Sequence, residues 1–460
     1  MPLSTSAFQK LQKIVGNRHA SREEEDLSAY AYDATAQVFR PDAVVFPENA
    51  RQVSQILLLA AEKGIPVIPR GAGSGLTGGS LAVRGGLILA MSRFNRILNI
   101  DRENLVAMVE PGVITGEFHA AVEKEGLFYP PDPASSDFST LGGNLAECAG
   151  GPRAVKYGVT RDYVLGLEAV IPTGEIIKTG VQTAKGVVGY DLTRLIVGSE
   201  GTLGVITRMT LRLLGLPEAV RTMVAVFDRM ETAAGTVSEI MKRGTVPRTV
   251  EFMDQTSIRC VGKYLKAGLP VDAGALLLLE VDGRTDEVDA ALNRLGDLCI
   301  AQGAKSLEKA ETKEEVARLW RARKSINPAL FQYGPHKINE DIAVPRNKIP
   351  DMVRKIIALK DQSGLIIASY GHAGDGNIHV NIMLDKNDGA ALATAEAVIE
   401  ELFDYTLYLG GTISGEHGVG ITKAPYVNKE IGSVELSLMK KIKEVFDPRG
   451  ILNPGKIFPV

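Results

Sequence analysis

The segment ASYGHAGDGNIHVNIML, residues 368–384, carries two of the chain's six histidines, His372 and His379, on either side of a glycine- and aspartate-rich turn. A third, His417, lies in GGTISGEHGVG (410–420), directly after Glu416. On a straight strand, a separation of seven would put His372 and His379 on opposite sides. Asp375-Gly376 is a strong hairpin-turn pair, however, and folding there sets the two imidazoles on adjoining strands where they can converge. Beyond the turn, Ile378, Val380 and Ile382 alternate onto one face, which leaves His379 and Asn381 together on the other. Two neutral imidazoles and a carboxylate hold a divalent metal with coordination positions left open. Glu416 is the obvious carboxylate. His417 is then free for proton transfer, because adjacent residues in extended backbone point in different directions. The remaining histidines, His19, His119 and His336, read as surface or packing residues.

The elements that must position these groups span a chain of 460 residues, long enough for two or three domains. With 45% hydrophobic and 23% charged residues it is a globular composition, and a net charge of −3 gives no support for nucleic-acid binding. No run of apolar residues reaches the roughly 18 of a spanning helix, and the first twenty residues lack the apolar core of a signal peptide. Cys148, Cys260 and Cys299 are far apart, which argues against a disulfide framework, a zinc ribbon or a cysteine-held cluster in this chain. The expectation is a cytoplasmic protein, or one peripheral to a membrane through a partner.

Residues 1–37 read as an N-terminal helical arm with a solvated acidic run, REEEDL. A β-α-β opening follows in PENARQVSQILLLAAEKGIPVIPRG, then strands in GLILAM and LVAMVEPGV, and a helix in TGEFHAAVEKEG with a threonine cap. DYVLGLEAVIPTGEIIKTG reads as a hairpin turning at Pro172-Thr173-Gly174. The first folded unit closes near residue 217. After it, strands in VRTMVAVF, TVEFMD and GALLLLEVDG alternate with helices at 230–243 and 285–302, an antiparallel sheet with helices on one face. Further helices fit 311–326, 347–362, 388–409 and 433–446, and the turn-rich FDPRGILNPGKIF tucks back onto the body. The expected domains are the arm at 1–37, a first domain at 38–217 and a second at 218–460.

Forty-eight glycines bunch at 71–79, 142–151, 198–204, 371–376 and 410–420, the pattern of tight turns or of backbone pressed against a ligand. PRGAGSGLTGGS (69–80) fits GxGxxG formally, but glycines and a strand follow it where a dinucleotide loop would open a helix, and no Walker lysine is present. What remains is a strand–loop–strand nest around Gly71, Ala72, Gly73, Gly75 and Leu76, whose N–H groups can cradle a diphosphate. Arg70, Ser74 and Thr77 could add donors. A second stretch, PPDPASSDFSTLGGNLAECAGGPRAVKYGVTRDYV, offers Pro133, Thr140, Gly142, Gly143, Asn144, Gly151, Tyr157 and Gly158 as a small-residue wall for a flat ring system. VGSEGTLGVIT, with Glu200, Gly204 and Ile206, supplies a third.

In this order the three glycine-rich segments resemble the FAD-binding domain of the vanillyl-alcohol-oxidase type. Followed by GHxGDGNxH, GEHGxG and DPxGxLNPGK, they resemble the FAD-linked D-2-hydroxyacid dehydrogenases, the branch that holds D-lactate and D-2-hydroxyglutarate dehydrogenases and the glycolate oxidase catalytic subunit. The resemblance covers roughly residues 40–458. It implies an α+β chain, with a two-lobed flavin-binding domain followed by an α+β, ferredoxin-like substrate and cap domain. FAD is expected to be non-covalent, since loop 69–80 holds no histidine, and Asn453 of the closing motif joins the cofactor-binding set. The resemblance assigns His372, His379 and Glu416 to a divalent metal (zinc, manganese or iron) and His417 to the base. RLWRARKSINPALFQYGPHKINEDIAVP (318–345) resembles the segment that supplies substrate cations, giving Arg323, with Arg321 as its competitor, and Lys337. Asn327 stands where some relatives carry threonine, and Asn381 is a further substrate contact from its place beside His379.

The expected reaction is oxidation of a D-2-hydroxy acid, D-lactate or glycolate foremost, to the 2-oxo acid. The metal orients the hydroxyl and carboxylate, hydride goes to the flavin N5, and an imidazole titrating near neutrality removes the hydroxyl proton. No nicotinamide signature is present, so the electrons are expected to pass to an electron-transfer flavoprotein, an iron–sulfur subunit or a quinone. Two other readings are a non-redox metalloenzyme, which leaves the N-terminal glycine clusters without a use, and an electron-relaying subunit of a larger oxidase, which has no need of a metal set.

Overall fold

A computed structural model describes residues 3–244, 246–265 and 268–459. The chain divides into two compact units that cross the linear boundaries. The first comprises Met1–Gly150, Val159–Leu216 and Glu416–Val460, and the second Gly151–Gly158 and Pro217–Gly415. This differs from a 38–217 and 218–460 division in two places: the short segment 151–158 joins the second unit, and the last 45 residues, 416–460, return to the first.

The first unit is built mainly on two sheets, beside a short antiparallel pair of Leu127–Phe128 and Leu214–Gly215. In one, Ala43–Val45 and Val67–Arg70 flank Leu87–Ala90 in parallel, and Ala20–Ser21 adds an antiparallel edge. Helix Ala50–Lys63, capped by Asn49 and closed by Gly64 at φ 65°, supplies the crossover that parallel strands need. In the other, Ile97–Asp101, Val106–Val109, Val205–Arg212, Val164–Val170 and Ile176–Gly180 form an antiparallel run. The expected turn at 172–174 is present, with Val170 opposite Ile176 and Gly174 at φ 93°.

Residues 1–37 are no separate arm. Helix Thr5–Val15 buries Ala7, Leu11 and Val15 in the same core as Val53, Ile56 and Leu57, because its apolar stripe has nothing else to cover it. The threonine cap at the helix Thr115–Lys124 is also revised. Ile114 occupies the cap position, and Thr115 is buried inside the first turn, where its hydroxyl takes the Asn144 amide at 2.7 Å.

The second unit is a seven-stranded, wholly antiparallel sheet. Across it run Ser306–Ala310, Ala219–Phe227, Ala275–Gly283, Thr249–Asp254, Ile366–His372, Asn377–Leu384 and His336–Ala343. Helices Met230–Lys242, Thr285–Ala301, Ile349–Ser363 and Gly389–Tyr408 correspond to expected periodic segments. Helix Gln255–Leu265, unassigned in the sequence reading, packs Ile258, Cys260 and Val261 into the core beside Leu276 and Leu278. Among the described residues no helix is long and apolar enough to cross a membrane.

Candidate active site

In the first unit the glycine loop leaves the strand Val67–Arg70 and turns at Gly73 (φ 70°) and Gly78 (φ 80°). Among the described residues, none accepts a hydrogen bond from the backbone N–H groups of residues 71–76, so these donors are left for an anionic group such as a diphosphate. The second wall packs directly on this loop, since a Cβ on Gly71 would fall 2.2 Å from the Thr140 hydroxyl. Thr140 caps helix Leu141–Glu147 by accepting from the Gly143 N–H at 3.3 Å. Gly142 lies too close to Pro111 for any side chain, with a Cβ 2.5 Å from that ring. The third wall docks on the same helix, as Gly198 and Glu200 donate their N–H groups to Leu145 O and Ala146 O at 2.9 and 2.8 Å. Three stretches separated in sequence therefore pack against one another, with the unaccepted N–H groups of the loop beside glycine-bearing segments, and this fits a flavin dinucleotide.

Several residues expected to touch the cofactor have other employment. The Arg70 guanidinium is buried, donates to Tyr32 O at 2.7 Å and to Tyr30 O at 3.3 Å, and so braces the loop from behind instead of facing a diphosphate. The Asn144 amide is held by Thr115. Asn453 donates to Gly79 O (2.8 Å) and Glu200 O (2.7 Å), tying the third wall and the closing motif to the glycine loop. The Glu200 carboxylate accepts from Val419 N and Gly420 N, both at 2.7 Å. Thr77 donates its hydroxyl to His417 O at 3.1 Å and accepts the Ile421 N–H at 2.8 Å. Its side chain thus fixes the segment that carries His417 rather than pointing at a ligand. Glu147 is wedged between Gly79 and Gly418, where a Cβ would lie 2.7 and 2.1 Å from its two oxygens. Burial first, and the neighbouring Glu200 second, push its carboxyl well above the usual range. Ser74, Gly75 and Leu76 are partly exposed on the loop, and Pro133, Gly204 and Ile206 also belong to this unit. Gly151, Tyr157 and Gly158 do not. They fall in the second unit, where the Tyr157 hydroxyl donates to Asp282 at 2.8 Å.

The second unit gathers the histidines. Ile366–His372 and Asn377–Leu384 pair through a turn at Gly376 (φ 93°), with Tyr370 opposite His379. The hairpin brings the imidazoles of His372 and His379 to 5.2 Å between ring centroids, at an interplanar angle of 89°. Both are buried. Each has an acidic cross-strand partner: Glu251 is in register with His372, and Asp341 with His379. His372 Nδ1 lies 2.6 Å from Glu251 Oε1, and His379 Nδ1 lies 3.5 Å from Asp341 Oδ1. Burial would raise the Glu251 pKa, but His372 and Arg323 outweigh it and hold the carboxyl below the usual value. Paired buried imidazoles backed by carboxylates are a donor arrangement suited to a divalent cation. Gly415, the last residue of this unit, donates its N–H to Asp341 O at 3.1 Å and Asp341 Oδ2 at 3.0 Å. Glu416 and His417 follow it directly in the chain.

The substrate residues expected from the sequence also lie on this unit. On helix Lys313–Lys324, Arg323 is buried with Leu319 and Ala322, whereas Arg321 is exposed. The Arg323 Nε is buried without a hydrogen-bond partner, and so is Asn381 Nδ2, while Asn381 Oδ1 accepts from Asn339 at 2.7 Å. Lys337 donates to Asn327, stands 5.6 Å from the Phe331 ring centroid, and is brought down to about 8 by burial. Sequence motifs assign no role to Glu251 or Asp341. For Glu251 the available signal was an acid flanked by Val250, Phe252 and Met253 inside a strand-like run, where a buried charge needs a partner.

A family profile described as "FAD binding domain" matches residues 41–180, and one described as "FAD linked oxidases, C-terminal domain" matches 216–457. Among solved structures, p-cresol methylhydroxylase with substrate bound superposes with a TM-score of 0.81 at 18% identity, covering 99% of this chain and 96% of that one. The fold is thus the two-lobed vanillyl-alcohol-oxidase type, α+β throughout. Curated relatives narrow this. The chain is 46% identical to the glycolate oxidase subunit GlcD of Bacillus subtilis (strain 168), over 93% of this chain and 92% of that protein. It is 36% identical to D-lactate dehydrogenase of Anaerostipes hadrus, over 91% and 90%. The chain belongs to the FAD-linked D-2-hydroxyacid dehydrogenase family and is a flavin-dependent oxidoreductase.

Proposed function

We propose that the protein oxidises a small D-2-hydroxy acid, D-lactate or glycolate, to the 2-oxo acid, with a divalent metal bound by His372, His379 and Glu416 and with His417 as base. The observation that carries this reading is the pair of buried imidazoles 5.2 Å apart, on the same unit as a buried arginine whose Nε lacks an acceptor. Bound FAD supplies a two-electron acceptor, and a divalent ion supplies Lewis acidity toward a substrate oxygen. The chain's own residues do the rest. The side chains of Arg323 and Lys337 offer fixed cations to the substrate carboxylate, and Asn381 a buried amide donor. An imidazole nitrogen of His417 accepts the proton of the substrate hydroxyl oxygen as the C2–H electron pair leaves. Thr77, holding the His417 carbonyl, sets where that imidazole starts from. Electrons then pass to a protein or quinone acceptor, an electron-transfer flavoprotein or an iron–sulfur subunit being the two protein classes. The relatives named as glycolate oxidase subunits favour an assembly with partner chains.

The test is anaerobic titration of the metal-loaded flavoprotein with D- and L-lactate, glycolate and longer 2-hydroxy acids, following the flavin absorbance. The D enantiomer or glycolate should bleach it. His417→Ala should retain its flavin and its metal and slow bleaching by about 10²–10⁴-fold. Bleaching at the normal rate in that variant removes His417 from the role of base.

A further inference from the structure

The Glu251 carboxylate stands between two groups to which the preceding reading gives different tasks. Its Oε1 is 2.6 Å from His372 Nδ1, and its Oε2 is 2.6 Å from Arg323 Nη2. Glu251 is fully buried near the middle of the seven-stranded sheet and in register with His372. An acid in such a place is costly unless both oxygens are engaged, and here one faces an imidazole and the other a guanidinium.

Two consequences follow from that geometry. An imidazole whose Nδ1 is held by a carboxylate keeps its hydrogen there, so the lone pair is left on Nε2, the nitrogen available to a metal. A guanidinium in ion-pair contact through Nη2, at 2.6 Å from Oε2 but without a directed hydrogen bond to that oxygen, is restrained in place, and its buried Nε lacks an acceptor. The guanidinium also lies 4.7 Å from the centroid of the Tyr370 ring, so that the fork is held from a second side. Asp341 is the corresponding acid opposite His379, 3.5 Å from its Nδ1. Its oxygens take the Asn377 amide at 2.6 Å and the Gly415 N–H at 3.0 Å, contacts that hold backbone and loop.

We infer that Glu251 is a positioning residue that, with one carboxylate, sets both the His372 tautomer for metal loading and the Arg323 fork for the substrate carboxylate. The inference rests on the metal and substrate assignments proposed above. Metal affinity and substrate KM are therefore coupled through a residue that touches neither ligand.

The experiment compares the flavin-loaded full-length protein with Glu251→Gln, Glu251→Asp and, as reference, His379→Ala. Flavin content and thermal melting establish folding. Chelator competition gives Mn²⁺ and Zn²⁺ affinity, and steady-state assays at saturating metal give KM and kcat for D-lactate and glycolate. In Glu251→Gln the metal affinity should fall about 10–100-fold with flavin retained. At saturating metal KM should still rise while kcat changes less, and Glu251→Asp, which keeps the charge on a shorter arm, should recover part of both losses. Wild-type metal affinity and KM in a folded Glu251→Gln overturn the inference, as does failure of both variants to fold, which would make Glu251 structural only. If His379→Ala loses the metal and Glu251→Gln does not, the inference alone falls. If the wild type binds neither Mn²⁺ nor Zn²⁺ and His379→Ala does not differ from it, the metal assignment falls and takes the inference with it.

Discussion

At the scale of single residues, burial sorts the charged groups more sharply than type does. Arg321 and Arg323 are two positions apart on one helix, yet the first is exposed and the second is buried against Glu251 and Tyr370. Lys337 is the residue with the plainest pH consequence. Burial lowers it from 10.5 to about 8, so between those values the folded state binds fewer protons than the unfolded chain. Stability therefore gains from this group as pH rises through that window, and below about 8 the buried charge opposes folding. Function runs the other way, because a carboxylate is recognised by the ammonium and not by the amine. KM for the hydroxy acid should climb above about pH 8, approaching about tenfold per unit from this group alone. Lys337→Met should begin with a high KM that is flat over the same range, as steady-state kinetics from pH 6.5 to about 9.5 would show. An identical pH rise in that variant would assign the effect elsewhere.

At the scale of elements, the hairpin 366–384 is what turns two histidines seven residues apart into neighbours. Its turn is backbone-limited. Gly376 sits at φ 93°, and a Cβ there would lie 2.0 Å from Val344 O. Gly376→Ala should lower stability by about 1–3 kcal/mol or more, through left-handed strain and the clash with backbone. Gly389→Ala, at a helix start with no atom within 4 Å of the added carbon, should change the melting temperature little. Equal melting of the two variants would remove the strain argument. The sequence disclosed this hairpin because Asp-Gly between alternating runs is local chemistry. It did not disclose that Glu251, 121 residues before His372, lies across the next strand, since register between distant strands is set by tertiary pairing.

For the whole molecule, the C-terminal segment is the feature a linear division of domains misses. After Gly415 the chain rejoins the first unit, and there it locks the flavin loop from behind. Asn453 N–H donates to Val67 O, its side chain reaches Gly79 O and Glu200 O, and Lys456 Nζ donates to Leu81 O at 2.7 Å. Asn453 sits at φ 42°, a conformation glycine adopts freely. Asn453→Gly therefore removes the amide without adding strain. It leaves two buried carbonyls without that donor, at a cost of about 1–3 kcal/mol. The variant should melt lower and release flavin more readily on dilution or gel filtration. Flavin retention equal to wild type would show that the strap does not shape the cradle.

By itself the sequence determined most of the element types, the glycine-rich loops and the placing of His372 and His379 on paired strands, because periodicity, turn chemistry and motif order are properties of neighbouring residues. Only the tertiary structure decided that Arg70, Asn144, Glu200 and Asn453 brace the cradle with their side chains, that Arg323 and not Arg321 turns inward, and that Glu251 joins histidine to arginine. Those outcomes depend on which distant backbone groups lie within about 3 Å of a side chain, and folding sets that distance where local sequence does not.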